Sequence, residues 1–216
     1  EWGYWSSTGS CFDIGMATKA ALHQFLLTGE ALAGSEDPHS AGNGSLMRLA
    51  PIAMRYGGDE TLVKEMAALS SRTTHGAAEC LDACRLFSVA LSRALNGGSK
   101  AEVLDLAGLR LQSPKIQAIA EGSYRHKTRE QISGSGYVVE SLEAALWCFD
   151  RHDDFRSTVL EAVNLGDDAD TTAAIAGQIA GAMGGEVGIP KEWIERLHLA
   201  HEIRALAVQI FQGAQL

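Results

Sequence analysis

The sequence predicts an all-α fold, and three observations support this. Almost every patterned segment of the 216 residues repeats its apolar side chains at the helical period, and none shows sustained alternation of apolar and polar residues. Asp, Ser and Pro at helix starts and Gly at helix ends separate these segments. With 46% hydrophobic and 21% charged residues, the composition is that of one globular domain, and we expect residues 1–216 to form it.

The predicted helices follow one another along the whole chain. In order they cover 13–28, 45–56, 59–71, 77–96, short helices beginning at 99 and 113, then 138–150, 155–164, 170–183 and 190–212, the last with a break inside. Pro51 lacks a backbone N–H and therefore predicts a kink or a restart. Asp59 predicts a capped helix start, and Ser99 with Glu102 predicts a capping box. We interpret 124–137, which is rich in charge, Ser and Gly, as a surface loop.

Charge and cysteine content narrow the class of protein. The chain has 27 acidic and 18 basic residues and a formal net charge of −9, which argues against general nucleic-acid binding and against an anionic membrane surface. The longest uncharged apolar stretch, 171–185, is too short to span a membrane. No CxxC motif is present, and we expect Cys80 and Cys84 to be buried free thiols rather than the start of a metal site. These features favour a cytoplasmic protein.

The acidic segment 166–172 carries the strongest chemical signal. Three carboxylates lie within four residues, and a helix cap explains only one of them. Clustered carboxylate and hydroxyl oxygens suit Mg²⁺ or Ca²⁺, although a cap with solvated acids explains the pattern equally well. An EF-hand is excluded because its glycine and its final glutamate are missing. Asp168, Asp170 and Thr171 offer fewer than the roughly six oxygens that Mg²⁺ takes, so other ligands must complete such a site.

Three further features are less specific. The glycine-rich segment 40–45 precedes a helix and allows an anion to approach its backbone amides, although such segments are more often simple turns. His75 lies between two predicted helices, where a structural role is the more common one. Trp2, Trp5 and Phe12 form an aromatic cluster that we expect to pack in the core, with stacking on a base as the alternative.

Taken together, these segments resemble the ADP-ribosylglycohydrolase family, which includes the dinitrogenase reductase-activating glycohydrolase. Residues 42–51, GNGSLMRLAP, are similar to its GNG-x-x-MR-x-AP motif, Thr74-His75 follows at a similar spacing, and 168–171, DADT, are similar to its C-terminal metal motif. The resemblance implies a compact orthogonal helical bundle and a hydrolase that cleaves the glycosidic bond between ADP-ribose and an acceptor, either a protein side chain or a small molecule. A non-catalytic ADP-ribose-binding or crystallin-like member of the fold is the alternative.

The resemblance also implies a role for individual residues. Two Mg²⁺ ions would be held by Asp168, Asp170 and Thr171, of which Asp168 and Asp170 are catalytic. The ADP-ribose would be bound by Asn43, Gly44, Ser45, His75, Gly136 and Tyr137. The family's upstream Thr-Asp-Asp motif does not occur in this sequence, so we expect the chain to be N-terminally incomplete and to hold only part of the metal site. The acceptor and the oligomeric state are left open.

Overall fold

The computed structural model describes Gly3 and residues 6–213, and this part of the chain folds into twelve α-helices without a β-strand. The helices are α1 (Met16–Thr28), α2 (Gly44–Met47), α3 (Ala50–Tyr56), α4 (Glu60–Arg72), α5 (Ala78–Leu95), α6 (Lys100–Val103), α7 (Pro114–Ala120), α8 (Val138–Arg151), α9 (Phe155–Asn164), α10 (Ala169–Gly184), α11 (Lys191–Ile194) and α12 (Ala200–Gly213). The all-α prediction is therefore confirmed. None of these helices is long and apolar enough to cross a membrane.

Helix α5 is the centre of the core. Most of its residues are buried, and it packs against α4 on one side and against α8 and α10 on the other. Helix α10 also packs against α8 and α9, and its buried Ala173, Ala176 and Ala180 let the neighbouring backbones approach closely. The short helix α2 contacts both α5 and α10. This packing brings the start of α2 and the start of α10 into one region.

Most of the predicted helix boundaries have the expected cause. The Asp59 side chain accepts hydrogen bonds from two backbone N–H groups at the start of α4, and Ser99 and Glu102 form a capping box. The first helix ends at Gly29, which adopts the left-handed conformation with φ 73°. Because Pro51 cannot donate a backbone hydrogen bond, the predicted second helix is divided into α2 and α3.

The segment 124–137 is more than the surface loop that its composition predicts. It includes most of one 3₁₀ turn (Ser123–His126) and all of a second (Arg129–Gln131), and Tyr124 and Ile132 are buried in the core. The prediction failed because two isolated apolar side chains among charged residues produce no detectable period. The end of this segment approaches the segment before α2, and this contact contributes to the candidate site.

The aromatic cluster and the first helix also differ from expectation. Trp2 and Trp5 lie outside the described residues, and Phe12 is 72% exposed, so core packing is wrong for Phe12. On α1, Leu26 is 80% exposed and only Ala21 is buried. Helix α1 makes few contacts with the other described helices. Periodicity identifies an apolar face, but it does not reveal what covers that face.

Candidate active site

The two main sequence motifs meet at Asn43. Its side-chain Nδ2 donates hydrogen bonds to Asp168 Oδ2 at 2.7 Å and to Ser141 Oγ at 2.8 Å. Its backbone N–H donates to Gly136 O at 3.1 Å. Asn43 is only 8% exposed, so these bonds are protected from competition with water. The structure therefore brings together Asn43, Gly136 and Asp168, which are far apart in the sequence.

The turn between α9 and α10 directs Asp168 toward Asn43. Gly166 and Asp167 both adopt positive φ, 83° and 52°, a conformation that Gly and Asp tolerate better than most residues. The Asp168 backbone N–H then donates to Gly134 O at 3.0 Å, and Asp168 Oδ1 accepts a hydrogen bond from Thr171 Oγ1 at 3.1 Å. Asp168 is half-buried and Thr171 is buried, so the carboxylate stays partly accessible.

The segment 133–137 contacts the candidate site through its backbone carbonyls. The hydroxyls of Ser133 and Ser135 both donate to Glu140 Oε2, at 2.9 and 2.5 Å. Ser141 Oγ, which accepts the bond from Asn43, donates to Ser135 O at 2.7 Å. The carbonyls of this segment thereby reach both Asn43 and the start of α10. Residues 133, 135, 140 and 141 were not predicted as site residues, because nothing in a single sequence shows which acceptors they contact.

Tyr137 lies at the edge of the same region and is held by two charged side chains. Its hydroxyl donates to Glu79 Oε2 at 2.5 Å and accepts a bond from Lys115 Nζ at 2.7 Å. The Lys115 ammonium also lies 5.1 Å from the centre of the Tyr137 ring. Burial and the hydrogen bond with Glu79 raise the pKa of the Tyr137 hydroxyl. Sequence reasoning missed Glu79 and Lys115, which belong to α5 and α7 and carry no motif.

His75 packs against the turn that carries Asn43 and is 4% exposed. A Cβ atom on Gly44 would lie 2.9 Å from His75 Cε1, so the close approach requires glycine. His75 Nδ1 is 2.7 Å from Thr74 Oγ1, which accepts a hydrogen bond from Arg48 Nη2 at 2.7 Å. Burial, reinforced by the charge of Arg48, lowers the pKa of His75 to about 4. The imidazole is therefore neutral at pH 7.

The hydrogen bonds of this network are compatible with a His75 proton on Nε2. Arg48 can only donate to Thr74 Oγ1, so the Thr74 hydroxyl is free to donate to His75 Nδ1. We assign the neutral ring a proton on Nε2, the nitrogen that faces Gly42 and Gly44. In this tautomer, His75 presents a hydrogen-bond donor, rather than a charge, to the glycine-rich turn.

Ser45 differs from its neighbours in the same motif. Its side chain is buried at 2% exposure, accepts a hydrogen bond from Ser71 Oγ at 2.8 Å and contacts Cys84 Sγ at 3.5 Å. Cys80 Sγ lies 3.4 Å from Gly42 O. The prediction that Cys80 and Cys84 are buried free thiols is confirmed. Because the Ser45 hydroxyl points into the protein, any contact of Ser45 with a ligand would involve its backbone N–H.

The three predicted metal ligands occupy different environments. Asp168 and Thr171 are hydrogen-bonded to each other, whereas Asp170 is exposed and its side chain makes no hydrogen bond to a described residue. In the described part of the chain, no three His, Cys, Asp or Glu side chains converge on a metal position. The oxygen donors suit the chemistry of Mg²⁺, but they supply fewer than the six ligands it takes. These residues fit one part of a metal site.

An all-α bundle with carboxylate, amide and hydroxyl groups at the starts of two core helices agrees with the class of protein that the sequence resembles. Residues 1–216 match the family model described as ADP-ribosylglycohydrolase. The chain belongs to this family.

Two relatives and one solved structure illustrate the match. The chain is 43% identical over 209 residues to the ADP-ribosylarginine hydrolase Tri1 of Pseudomonas putida (strain GB-1), covering 97% of this chain and 56% of that protein. It is 27% identical over 194 residues to the ADP-ribosyl-[dinitrogen reductase] glycohydrolase of Rhodospirillum rubrum, covering 88% and 62%. A solved chain titled ADP-ribosylglycohydrolase-related protein complex has a TM-score of 0.84 and 39% identity, covering 93% and 69%. The chain thus spans less than two thirds of the length of these two relatives.

Proposed function

We propose that this protein is a Mg²⁺-dependent hydrolase that releases ADP-ribose from ADP-ribosylated arginine. The observation that carries the proposal is the hydrogen bond between Asn43 and Asp168, because it joins the two family motifs at one point. The similarity to a protein named ADP-ribosylarginine hydrolase supports arginine as the acceptor.

The glycine-rich turn and the segment 133–137 are the surfaces that we propose to bind ADP-ribose. Asn43 and Gly44 would contact the diphosphate and the neighbouring ribose, with His75 Nε2–H as a nearby uncharged donor. Gly136 and Tyr137 would contact the adenosine. The bonds from Glu79 and Lys115 support this role for Tyr137, since they limit the positions available to its ring.

Asp168, Asp170 and Thr171 would hold the metal, and the remaining ligands must come from other groups. When bound, Mg²⁺ would polarise a ribose oxygen and stabilise developing negative charge as a Lewis acid. Each carboxylate oxygen of Asp168 accepts one hydrogen bond and has a further lone pair for a metal ion, and the carboxylate of Asp170 is exposed. Both observations support this assignment. The resemblance assigns further ligands to the family's Thr-Asp-Asp motif, which does not occur in these 216 residues.

Hydrolysis requires water to attack the anomeric carbon while the bond to the arginine nitrogen breaks. The water oxygen becomes the new ribose hydroxyl, one water proton goes to the leaving guanidine, and the site must transfer that proton. The Asp170 carboxylate is exposed, and an oxygen of it that does not hold the metal would accept this proton, whereas Asp168 is held in place by Asn43 and Thr171. We propose that Asp168 orients the reacting groups and that Asp170 assists the proton transfer.

The test measures ADP-ribose release from an ADP-ribosylated arginine peptide with Mg²⁺ and with EDTA. Asp168→Asn removes the charge without changing the shape, and we expect it to lower turnover about 100-fold. Asp167→Asn is the matched control, because it neutralises the adjacent exposed acid and Asn also tolerates positive φ. Equal loss in both variants would contradict the role of Asp168. Binding of ADP-ribose without release would favour the non-catalytic alternative.

A cytoplasmic location is part of the same proposal. Cys80, Cys84 and Cys148 are buried and unpaired, which suits a reducing compartment. Burial raises the pKa of the Cys80 and Cys148 thiols to about 12, so both stay protonated at pH 7.

A further inference from the structure

We propose that Gln178 is a positioning residue that fixes α2 against α10 and thereby keeps Asn43 within hydrogen-bonding distance of Asp168. This inference deepens the proposed function and rests on it for its effect on ADP-ribose. Gln178 belongs to no motif of the sequence analysis, and it does not contact the candidate ligand-binding groups directly. Its influence would pass through the backbone of α2.

The side chain of Gln178 uses both ends of its amide. Its Oε1 accepts a hydrogen bond from the backbone N–H of Ala50 at 2.7 Å. Its Nε2 donates to Leu46 O at 3.1 Å and to Met47 O at 3.0 Å. One amide on α10 therefore binds the last carbonyls of α2 and the first N–H of α3. These three contacts satisfy both amide protons and the oxygen of a single side chain.

The groups that Gln178 contacts lack their usual helical partners. In a continuous helix, Met47 O would accept from the N–H of residue 51, but Pro51 has none. Leu46 O would accept from Ala50 N–H, which donates to Gln178 Oε1 instead. The amide is thus inserted into the break that Pro51 creates. Without it, the part-buried Ala50 N–H and the exposed Met47 O lose this partner, whereas Leu46 O keeps the bond from the Leu49 N–H at 3.3 Å.

The position of Gln178 connects this break to the candidate site. Asp168 precedes α10, and Gln178 lies ten residues later, about 15 Å further along the helix. The Asn43 end of α2 is joined to Asp168, and the Met47 end is joined to Gln178. Two separate attachments prevent the short helix α2 from rotating about either one. The second attachment therefore preserves the geometry of the first.

The experiment compares two variants by NMR. Gln178→Met keeps the length and volume of the side chain and removes its three hydrogen bonds. Gln117→Met is the matched control, because Gln117 lies on α7 and not on α10. Its Oε1 also accepts a hydrogen bond from a backbone N–H, that of Leu111 at 3.2 Å. The primary readout is the side-chain amide of Asn43, its chemical shift and its rate of hydrogen exchange. The second readout is the affinity for ADP-ribose.

We expect Gln178→Met to speed exchange of the Asn43 side-chain amide and to weaken ADP-ribose binding about 10-fold, the equivalent of one lost hydrogen bond. Gln117→Met should leave both unchanged. An Asn43 signal identical to wild type in Gln178→Met would overturn the inference, even if the protein is less stable. Because the Asn43 signal needs no ligand, a wild-type protein that fails to bind ADP-ribose would contradict only the proposed function.

A milder variant covers the case in which Gln178→Met does not fold. Pro51→Ala gives Met47 O a backbone N–H of its own, which competes with Gln178 Nε2 for the same acceptor. We expect the side-chain signals of both Gln178 and Asn43 to move in this variant. A change in the Gln178 signal with no change at Asn43 would show that the two attachments are independent, which would also overturn the inference.

Discussion

The two sides of the candidate site differ in how much hydrogen-bonding capacity they leave for a ligand. On the His75 side, the side chains bind one another: Arg48 donates to the buried Thr74, and Thr74 contacts the buried His75. On the Asp168 side, the carboxylate is half-buried and Asp170 is exposed. The first side is therefore preformed around a neutral imidazole next to the positive charge of Arg48, whereas the second carries carboxylates that are half-buried or exposed.

The largest expected effect is at Asn43, where the two sides meet. Asn43→Asp removes two donated hydrogen bonds and places a second carboxylate beside Asp168. We expect the free energy of unfolding at pH 7 to fall by about 3 kcal/mol, measured by urea denaturation. Asn96→Asp is the control, since Asn96 donates to Gly57 O in an exposed position. Similar losses in both variants would show that the hydrogen bonds of Asn43 contribute no more to stability than the exposed bond of Asn96.

The pH dependence of stability tests whether the His75 imidazole is uncharged in the folded protein. Burial lowers the pKa of His75 to about 4 from 6.5, so the unfolded chain binds a proton that the folded protein does not between these pH values. Stability should therefore fall as pH decreases from 6.5 to 4, by up to about 3 kcal/mol from this group. His75→Gln should remove that part of the slope, and His126→Gln, on an exposed turn, should retain it. Equal slopes in the two variants would contradict the prediction.

Thr74→Val tests the link between Arg48 and His75. Valine fills the same space but has no hydroxyl, so Arg48 Nη2 and His75 Nδ1 each lose a partner. We expect a loss of about 1 kcal/mol in the free energy of unfolding, measured by thermal and urea denaturation. Thr61→Val, at an exposed position on α4, should have little effect. If the Thr74 variant behaves like this control, the network is not a source of stability.

Asp170→Asn should have the smallest effect on folding. Its carboxylate is exposed and makes no hydrogen bond to a described residue, so we expect stability to change by less than about 0.5 kcal/mol. Mg²⁺ affinity should nevertheless fall about 10-fold, measured by calorimetry. A large loss of stability with unchanged Mg²⁺ affinity would contradict this prediction, because Asp170 would then stabilise the fold and would not bind the metal.

Local sequence patterns predicted most of the helices because their causes are local. The cap at Asp59, the interruption at Pro51 and the end at Gly29 each depend on a few neighbouring residues. The exposure of Phe12 and the burial of Tyr124 depend on what packs against them, and no local period contains that information.

The candidate site was predictable only in part for the same reason. Motifs and family resemblance identified Asn43, Asp168 and His75, but the sequence does not show that an amide on α10 contacts the break between α2 and α3. The contacts of Gln178 and of Glu79 join residues far apart in the chain. Such pairs become visible only when the helices are packed.

The most direct test of the proposed ADP-ribose site is an NMR titration of this chain with ADP-ribose, with and without Mg²⁺. If the glycine-rich turn and the segment 133–137 bind ADP-ribose, the backbone signals of Asn43, Gly44 and Gly136 should show saturable shifts, with tighter binding when Mg²⁺ is present. Saturable shifts confined to other surfaces, such as the apolar cavity of about 410 Å³ lined by Met54 and Ile203, would contradict it. So would the absence of any saturable change.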